Sequence, residues 1–189
     1  MSTRTAGHRQ LDRVGNLLGA LSLSISDRTA DAVGEAAGQS ESAAIALSAL
    51  YHFLDEPSVD KLRRVLGLTP SGTVRLVDRL VEAGYVERRP GRDGRSVSLA
   101  LTAAGRRAAA RVSAARGEVL ESALAVLSPA ERDAFERTLA RVLPGLIRGP
   151  GAVRWMCRLC DMTACGRDEG RCPVAWAAME RYSSPSNGD

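Results

Sequence analysis

Lysine is nearly missing from this chain: of its 26 basic residues only Lys61 is not an arginine. Arginine's planar fork suits phosphate and guanine, but so uniform a preference reflects coding bias and carries no functional weight. Histidine occurs twice, no glycine-rich phosphate loop is present, and no histidine stands among the cysteines. Those absences remove most of what a nucleotide-dependent enzyme or a metal hydrolase needs, so the chain is read as a non-enzyme. Nowhere do about 18 apolar residues run together, and the N-terminal MSTRTAGHRQLDRV has no apolar core. A soluble, cytoplasmic protein with no membrane partner is expected. Aromatic residues make up only 4% of a 189-residue chain rich in alanine, which predicts a thinly packed helical monomer that gains burial by dimerising. The net charge of +4 is too small for a nonspecific architectural DNA-coating protein.

Against these absences, residues 57–105 carry dense local signals. Ser58 is an N-cap for a short helix with Val59, Leu62, Val65 and Leu66 at helical spacing, and Gly67 stops it. Thr69 and Pro70 open a second helix, since proline's missing N–H would have no partner in the first turn. That helix runs to about residue 83, with Leu76, Val77 and Leu80 facing inward and Thr73 or Val74 completing the stripe. A helix entering a major groove presents its N-terminal residues to base edges. Ser71, Thr73, Val74, Arg75 and Arg79 are therefore the candidate contacts from this helix. Gly84 ends it, residues 85–89 form a strand, and residues 96–101 form another in which Val97, Leu99 and Leu101 share one face. Between the strands lies Pro90-Gly91-Arg92-Asp93-Gly94-Arg95, a turn-forming tip in which Arg92, Asp93 and Arg95 are charged. A charged hairpin directly after a recognition helix suits the neighbouring phosphates or the minor groove.

These residues resemble the MarR family of winged-helix transcriptional regulators. The resemblance rests on LTPSGTVRLVDRLVEAGYVERR, on Asp93-x-Arg95 in the wing, and on SLALTAAG, and it extends over about residues 9–148. It implies a mainly α fold: a winged helix-turn-helix with a two-stranded β-wing, flanked by helices forming a dimerisation domain. It also implies that Asp93 holds Arg95 for the DNA backbone or minor groove. Gly94 departs from the family, which often has a second basic residue there, so this tip carries one charge fewer.

The flanks are read from periodicity. Leu11, Val14, Leu17, Leu18, Leu21 and Ile25 recur at helical spacing through residues 11–37, and Ser40 caps a second helix reaching Phe53. His52, in that helix, is read as a packed or surface residue and not as a ligand. Thr102 caps a helix through Leu127, and Ser128-Pro129-Ala130-Glu131 is a capping box before the stripe Phe135, Leu139, Val142, Leu143 and Leu146. The expected division is a helical dimerisation region at 1–50 and 102–148, a DNA-binding domain at 51–101, a cysteine-rich metal-binding module at 149–182 and a disordered tail at 183–189. From the family likeness, terminal helices of two subunits interlock on double-stranded DNA, and small-molecule effectors occupy a crevice near Tyr51 and Phe53.

All four cysteines, Cys157, Cys160, Cys165 and Cys172, fall late in the chain at C-x2-C-x4-C-x6-C spacing. With Gly166 and Gly170 to let the chain turn, four thiols so close in sequence can converge on one metal centre. In a reducing cytosol disulfides are disfavoured. The opening spacing is that of a zinc knuckle, whereas Pro173 after the last cysteine matches ferredoxin-type runs and suits a [4Fe–4S] cluster. Zinc is preferred because nothing in the sequence demands redox chemistry, and Arg158, Arg167 and Arg171 offset thiolate charge in either case. Trp155, Met156, Val174, Trp176 and Met179 are expected to pack the module onto the dimerisation helices.

The resulting expectation is a MarR-like repressor, binding a near-palindromic operator as a homodimer, with a structural or sensory four-cysteine centre. The competing reading is a redox-active metal or iron–sulfur protein, or an enzyme, that uses the winged unit for protein contacts.

Overall fold

The computed structural model describes residues 12–91, 96–149 and 156–182. In chain order the elements are α1 (Arg13–Ala37), α2 (Glu41–His52), α3 (Val59–Leu66), α4 (Pro70–Glu82), β1 (Val86–Pro90), β2 (Val97–Leu101), α5 (Ala103–Leu124), α6 (Pro129–Val142), a 3-10 turn (Leu143–Leu146) and α7 (Pro173–Tyr182). The protein is thus mainly helical with one two-stranded antiparallel sheet, a winged-helix architecture.

Local chemistry accounts for the helix starts. Ser40, Ser58, Thr69 and Thr102 each accept a hydrogen bond from a backbone N–H in the first turn of α2, α3, α4 and α5. At α6 the Ser128 and Glu131 side chains and backbone close a capping box. Gly38, Gly67 and Gly84 stop or follow helices with positive φ of 61°, 67° and 71°, where a Cβ would be strained. Gly105 has a different reason: a Cβ there would lie 1.9 Å from the Tyr85 carbonyl oxygen, so α5 can pass close to the start of β1 only without a side chain.

One core joins these parts. Val33 and Ala37 of α1, Ala43, Ala44, Ala46, Leu47 and Leu50 of α2, Leu62 and Val65 of α3, Leu76, Val77 and Leu80 of α4, Leu99 of β2 and Val112 of α5 pack together. The core therefore runs across the boundary expected near residue 50, because α2 is covered on nearly every face from Ala43 to Leu50. Alanine makes this possible, since its small side chain lets α1, α2 and α5 approach closely.

The sheet departs from the simple alternation expected of residues 96–101. Leu99 and Leu101 are buried as expected, but Val97 is 46% exposed, and Ser98 and Ala100 are buried as well. The cause is a third extended piece: Leu99 N donates to the Pro57 carbonyl (3.0 Å), and Ser58 bridges Ser98. The residues leading into α3 cover the second edge of β2, so most of that strand is enclosed.

A second, smaller cluster holds the C-terminal segment. Ile147, Cys172, Val174 and Ala177 are buried together, with Leu143, Met156, Cys157 and Cys165 against them. Arg181 Nη1 adds a hydrogen bond to the Pro144 carbonyl (2.8 Å). Met156 and Val174 pack as expected, whereas Trp176, at 60% exposure, and Met179 face outward; Trp155 lies outside the described residues.

Candidate nucleic-acid interface and cysteine cluster

The recognition helix α4 divides cleanly. Thr73 is 0% exposed and Val74 is 47% exposed, so the inward stripe is Thr73, Leu76, Val77 and Leu80. The Thr73 hydroxyl donates to the Thr69 carbonyl at 2.9 Å. Thr73 is therefore corrected from a DNA contact to a core residue, its hydroxyl satisfied one turn back along its own helix. Ser71, Val74, Arg75 and Arg79 remain on the outer surface.

The two arginines differ from their neighbours in having no carboxylate partner among the described residues. Arg88 pairs with Asp78 at 2.6 Å, Arg89 is held by Glu56 at 2.7 Å and also by Glu87, and Arg63 and Arg64 share Asp60 at 2.8 and 2.5 Å. Arginines locked to carboxylates brace the surface around the helix; Arg75 and Arg79 keep their donors available. They border a hollow of about 680 Å³ with Ser42, Leu68 and Gly72, open to a ligand approaching the N-terminal half of α4. Arg92, Asp93 and Arg95 lie outside the described residues. The strands that carry them are paired from Val86↔Leu101 to Pro90↔Val97, and Gly91 N donates to the Ser96 carbonyl at 2.7 Å, so the hairpin is closed up to its tip.

The four cysteines sit beside this body. The Cys157 thiol donates to Cys160, which pushes Cys160 down to about 6 and, together with burial, drives Cys157 well above the ordinary thiol range. Arg116 and Arg167 also favour the Cys160 thiolate. Burial raises Cys165, which in addition feels the charge of Cys172 and hydrogen-bonds to it. The thiols thus form two pairs, Cys157 with Cys160 and Cys165 with Cys172, within electrostatic reach of each other; Cys172 is buried and all four are free. Among the described residues no three His, Cys, Asp or Glu side chains meet at a point where they could hold a single ion. Positive φ at Gly166 (61°) and Gly170 (71°) turns the chain between Cys165 and Cys172, as their spacing predicts.

Two participants here, Phe53 and Arg116, come from distant chain positions, and a third, Leu159, reaches out of the cysteine segment itself. Phe53, just past α2, lines a cavity of about 210 Å³ together with Cys157, Cys160, Met162, Cys165 and Arg167. Leu159, between the first two cysteines, packs against the main core. Arg116, on α5, is close enough to act on both Cys160 and His52. His52 Nε2 lies 2.8 Å from Ser113 Oγ, and burial holds its pKa below the ordinary value despite Asp161 nearby. That hydrogen bond and burial agree with its reading as a packed residue. Of the expected arginines, Arg167 faces the thiols, while Arg171 is paired with Glu169 at 2.5 Å.

No curated protein matches the chain. Solved structures do. A MarR family protein from Bacillus stearothermophilus superposes with a TM-score of 0.63 at 24% identity, over 71% of this chain and 94% of that one. A variant of MepR from Staphylococcus aureus, bound to an oligodeoxyribonucleotide, gives a TM-score of 0.55 at 17% identity, over 72% and 99%. A Mycobacterium tuberculosis MarR family protein in complex with p-aminosalicylic acid gives 0.54 at 25%, over 69% and 98%. At these identities the likeness is one of fold, and in each pair more than a quarter of this chain has no counterpart. Residues 28–96, from within α1 to the residue before β2, match the model of the MarR family.

Proposed function

We propose that the protein is a MarR-like transcriptional regulator, a repressor and not an enzyme, which binds a near-palindromic operator as a homodimer. The observation that carries this reading is the pair Arg75 and Arg79, exposed and without carboxylate partners among the described residues, on the outer face of a helix whose inner face is fully packed. The MepR variant solved with an oligodeoxyribonucleotide supports the same use of the fold. Ser71, Val74, Arg75 and Arg79 read base edges or phosphates, and Arg92 and Arg95, with Asp93 orienting Arg95, hold the flanking backbone or minor groove.

Dimerisation is supported by apolar surface that one chain leaves open. Val14, Leu17, Leu18 and Leu21 of α1 are exposed, and α6 has no buried residue at all. Leu21, Ile25, Leu120, Leu124, Phe135 and Leu139 line an apolar hollow of about 680 Å³ among α1, α5 and α6. A second copy covering this face supplies burial that α6 lacks, and two-fold pairing sets two recognition helices on inverted half-sites. The p-aminosalicylic acid complex of the mycobacterial protein supports a small-molecule effector; its place near Tyr51 and Phe53 is proposed from the family likeness alone. Cys157, Cys160, Cys165 and Cys172 hold one metal centre in a separate C-terminal module.

Selection of bound sequences from random DNA, followed by a salt titration with Arg75→Ala and Arg95→Ala, tests the reading. Arg95→Ala is expected to weaken binding across all sequences and flatten the salt slope. Unchanged binding by both variants at every salt concentration, or a monomer by sedimentation at micromolar concentration that still binds an asymmetric site tightly, would overturn it.

A further inference from the structure

The four thiols divide by access. Cys157, Cys160 and Cys165 are half-buried and border the cavity of about 210 Å³, whereas Cys172 is buried and does not line it. Cys165 donates to the Met162 carbonyl at 3.4 Å and pairs with the buried Cys172. The pair with both members on the cavity is therefore Cys157 and Cys160. Cys160 N donates to the Cys157 carbonyl at 2.9 Å, closing a four-residue turn, and such a turn keeps its end Cα atoms within ~7 Å. A disulfide bridges Cα atoms ~4.4–6.8 Å apart, so the two sulfurs can be joined with the turn intact. They already meet, the Cys157 thiol donating to Cys160. Two thiols in contact at a cavity are what thiol–disulfide exchange requires, one sulfur to attack and a second to resolve.

The cavity sets which disulfide suits the pair. Its volume exceeds the ~150 Å³ hole in which benzene binds, so it accommodates one arm of a small organic disulfide. Phe53 and Met162 supply apolar wall, and Arg167 supplies a guanidinium that forms no salt bridge among the described residues. Arg116 adds a second positive charge from α5. The carboxylate of Asp161, next to Cys160, is turned to the N–H groups of Thr163 and Ala164 at 2.9 and 3.1 Å. A cationic lining of this kind favours a molecule whose arms end in carboxylates.

We propose that Cys157 and Cys160 form a thiol–disulfide exchange site for small anionic disulfides, with Arg167 holding the carboxylate. The sulfur of Cys160, which accepts the hydrogen bond from Cys157, attacks one sulfur of the incoming disulfide. A mixed disulfide forms on Cys160, and the other half leaves as a thiol carrying the proton that Cys160 gives up. Cys157 then attacks the Cys160 sulfur, the bond to the small molecule breaks, and the second half leaves as a thiol with the proton of Cys157. Two protein thiols are oxidised to one disulfide while one small disulfide is reduced to two thiols. A reducing cytosol keeps the pair as thiols, and a more oxidised pool of small thiols closes it. Leu159, between the two cysteines, packs against the main core, so the bridge forms where the segment touches the winged body. The inference goes beyond the reading of the cysteines as one metal centre and does not rest on it.

The full chain as purified is incubated with dithiodipropionate, which is anionic, or with cystamine, which is cationic and of similar size. Released thiol is followed in time, and bridges are located by alkylation and peptide mapping. The expected results are a Cys157–Cys160 disulfide, about two small thiols released per chain, Cys165 and Cys172 left reduced, and faster reaction with dithiodipropionate. Arg167→Ala is expected to slow dithiodipropionate about fivefold and to leave cystamine unslowed. Cys157→Ser is expected to stop at the mixed disulfide on Cys160; mapping of the parent chain locates the bridge even where that variant does not fold. No bridge with either reagent, or a bridge that takes in Cys165 or Cys172 instead, overturns the site. Equal slowing of both reagents by Arg167→Ala overturns its preference for anions. Metal analysis of the same preparation judges the metal-centre reading separately: a bound ion that keeps both thiols from reacting supports that reading and overturns exchange.

Discussion

The winged body and the cysteine module are held together by different means. In the body, apolar side chains from five helices and both strands enclose one another, with Leu47, Leu62, Leu76, Leu80 and Leu99 fully buried. Among its described residues the module buries the side chains of Cys172, Val174 and Ala177, packed with Ile147, and between its cysteines the chain runs largely through turns. On the proposed reading, ligand bonds to its cysteines supply the fixed shape that so little apolar burial does not. The body needs no such help. The contrast teaches that the winged body and the cysteine segment are separable in energy, although they touch at Phe53 and Leu159.

The largest expected effect lies in the body. Leu80→Ala removes a fully buried side chain from the inner face of α4 and is expected to destabilise the protein by about 2–5 kcal/mol, measured by denaturant unfolding. A midpoint indistinguishable from the parent's would mean that the body is not held by its core. Next comes the module. Cys172→Ser should abolish metal binding and melt the C-terminal segment, while the main thermal transition moves no more than about 2–4 °C. Collapse of both regions together would erase the distinction.

Smaller effects sharpen the boundary between reading DNA and folding. Arg75→Ala should weaken operator binding by about 1–3 kcal/mol and relax preference at one position, leaving the melting temperature unchanged. Equal loss on every sequence would reassign Arg75 to phosphate contact. Thr69→Ala removes the hydroxyl that accepts from Gly72 N at 3.1 Å, and should lower stability by about 1 kcal/mol with only a proportionate effect on binding. A drop in affinity far beyond the drop in stability would place Thr69 on the DNA.

What was legible in the sequence was local. Serine and threonine caps, Pro70 after Thr69, the stop at Gly67 and the capping box at Ser128 each act within one turn, so their residues announce the element boundaries by themselves. The stripe of α4 was legible up to one ambiguity, since at helical spacing Thr73 and Val74 compete for the same inward place and the polar residue took it. Distant contacts were not legible. Enclosure of Ser98 and Ala100 depends on Pro57 and Ser58 arriving from about forty residues earlier, and nothing in the alternation of β2 reports that. The cysteine spacing marked the candidate ligands, but Phe53 and Arg116 join them, and Leu159 meets the main core, only through the tertiary fold.

Leu159 has a consequence for the order in which the thiols meet. Because it anchors the loop carrying Cys157 and Cys160 to the main core, half of the set is tethered as soon as the body folds. The other two thiols, Cys165 and Cys172, are joined to that loop by a short connection, so their arrival is an intramolecular event at high effective concentration. On the proposed reading of the cysteines as a metal centre, the winged body serves as a jig on which the second half of the clasp closes, and weakening the seat of Leu159 should slow metal loading before it changes the set of ligands.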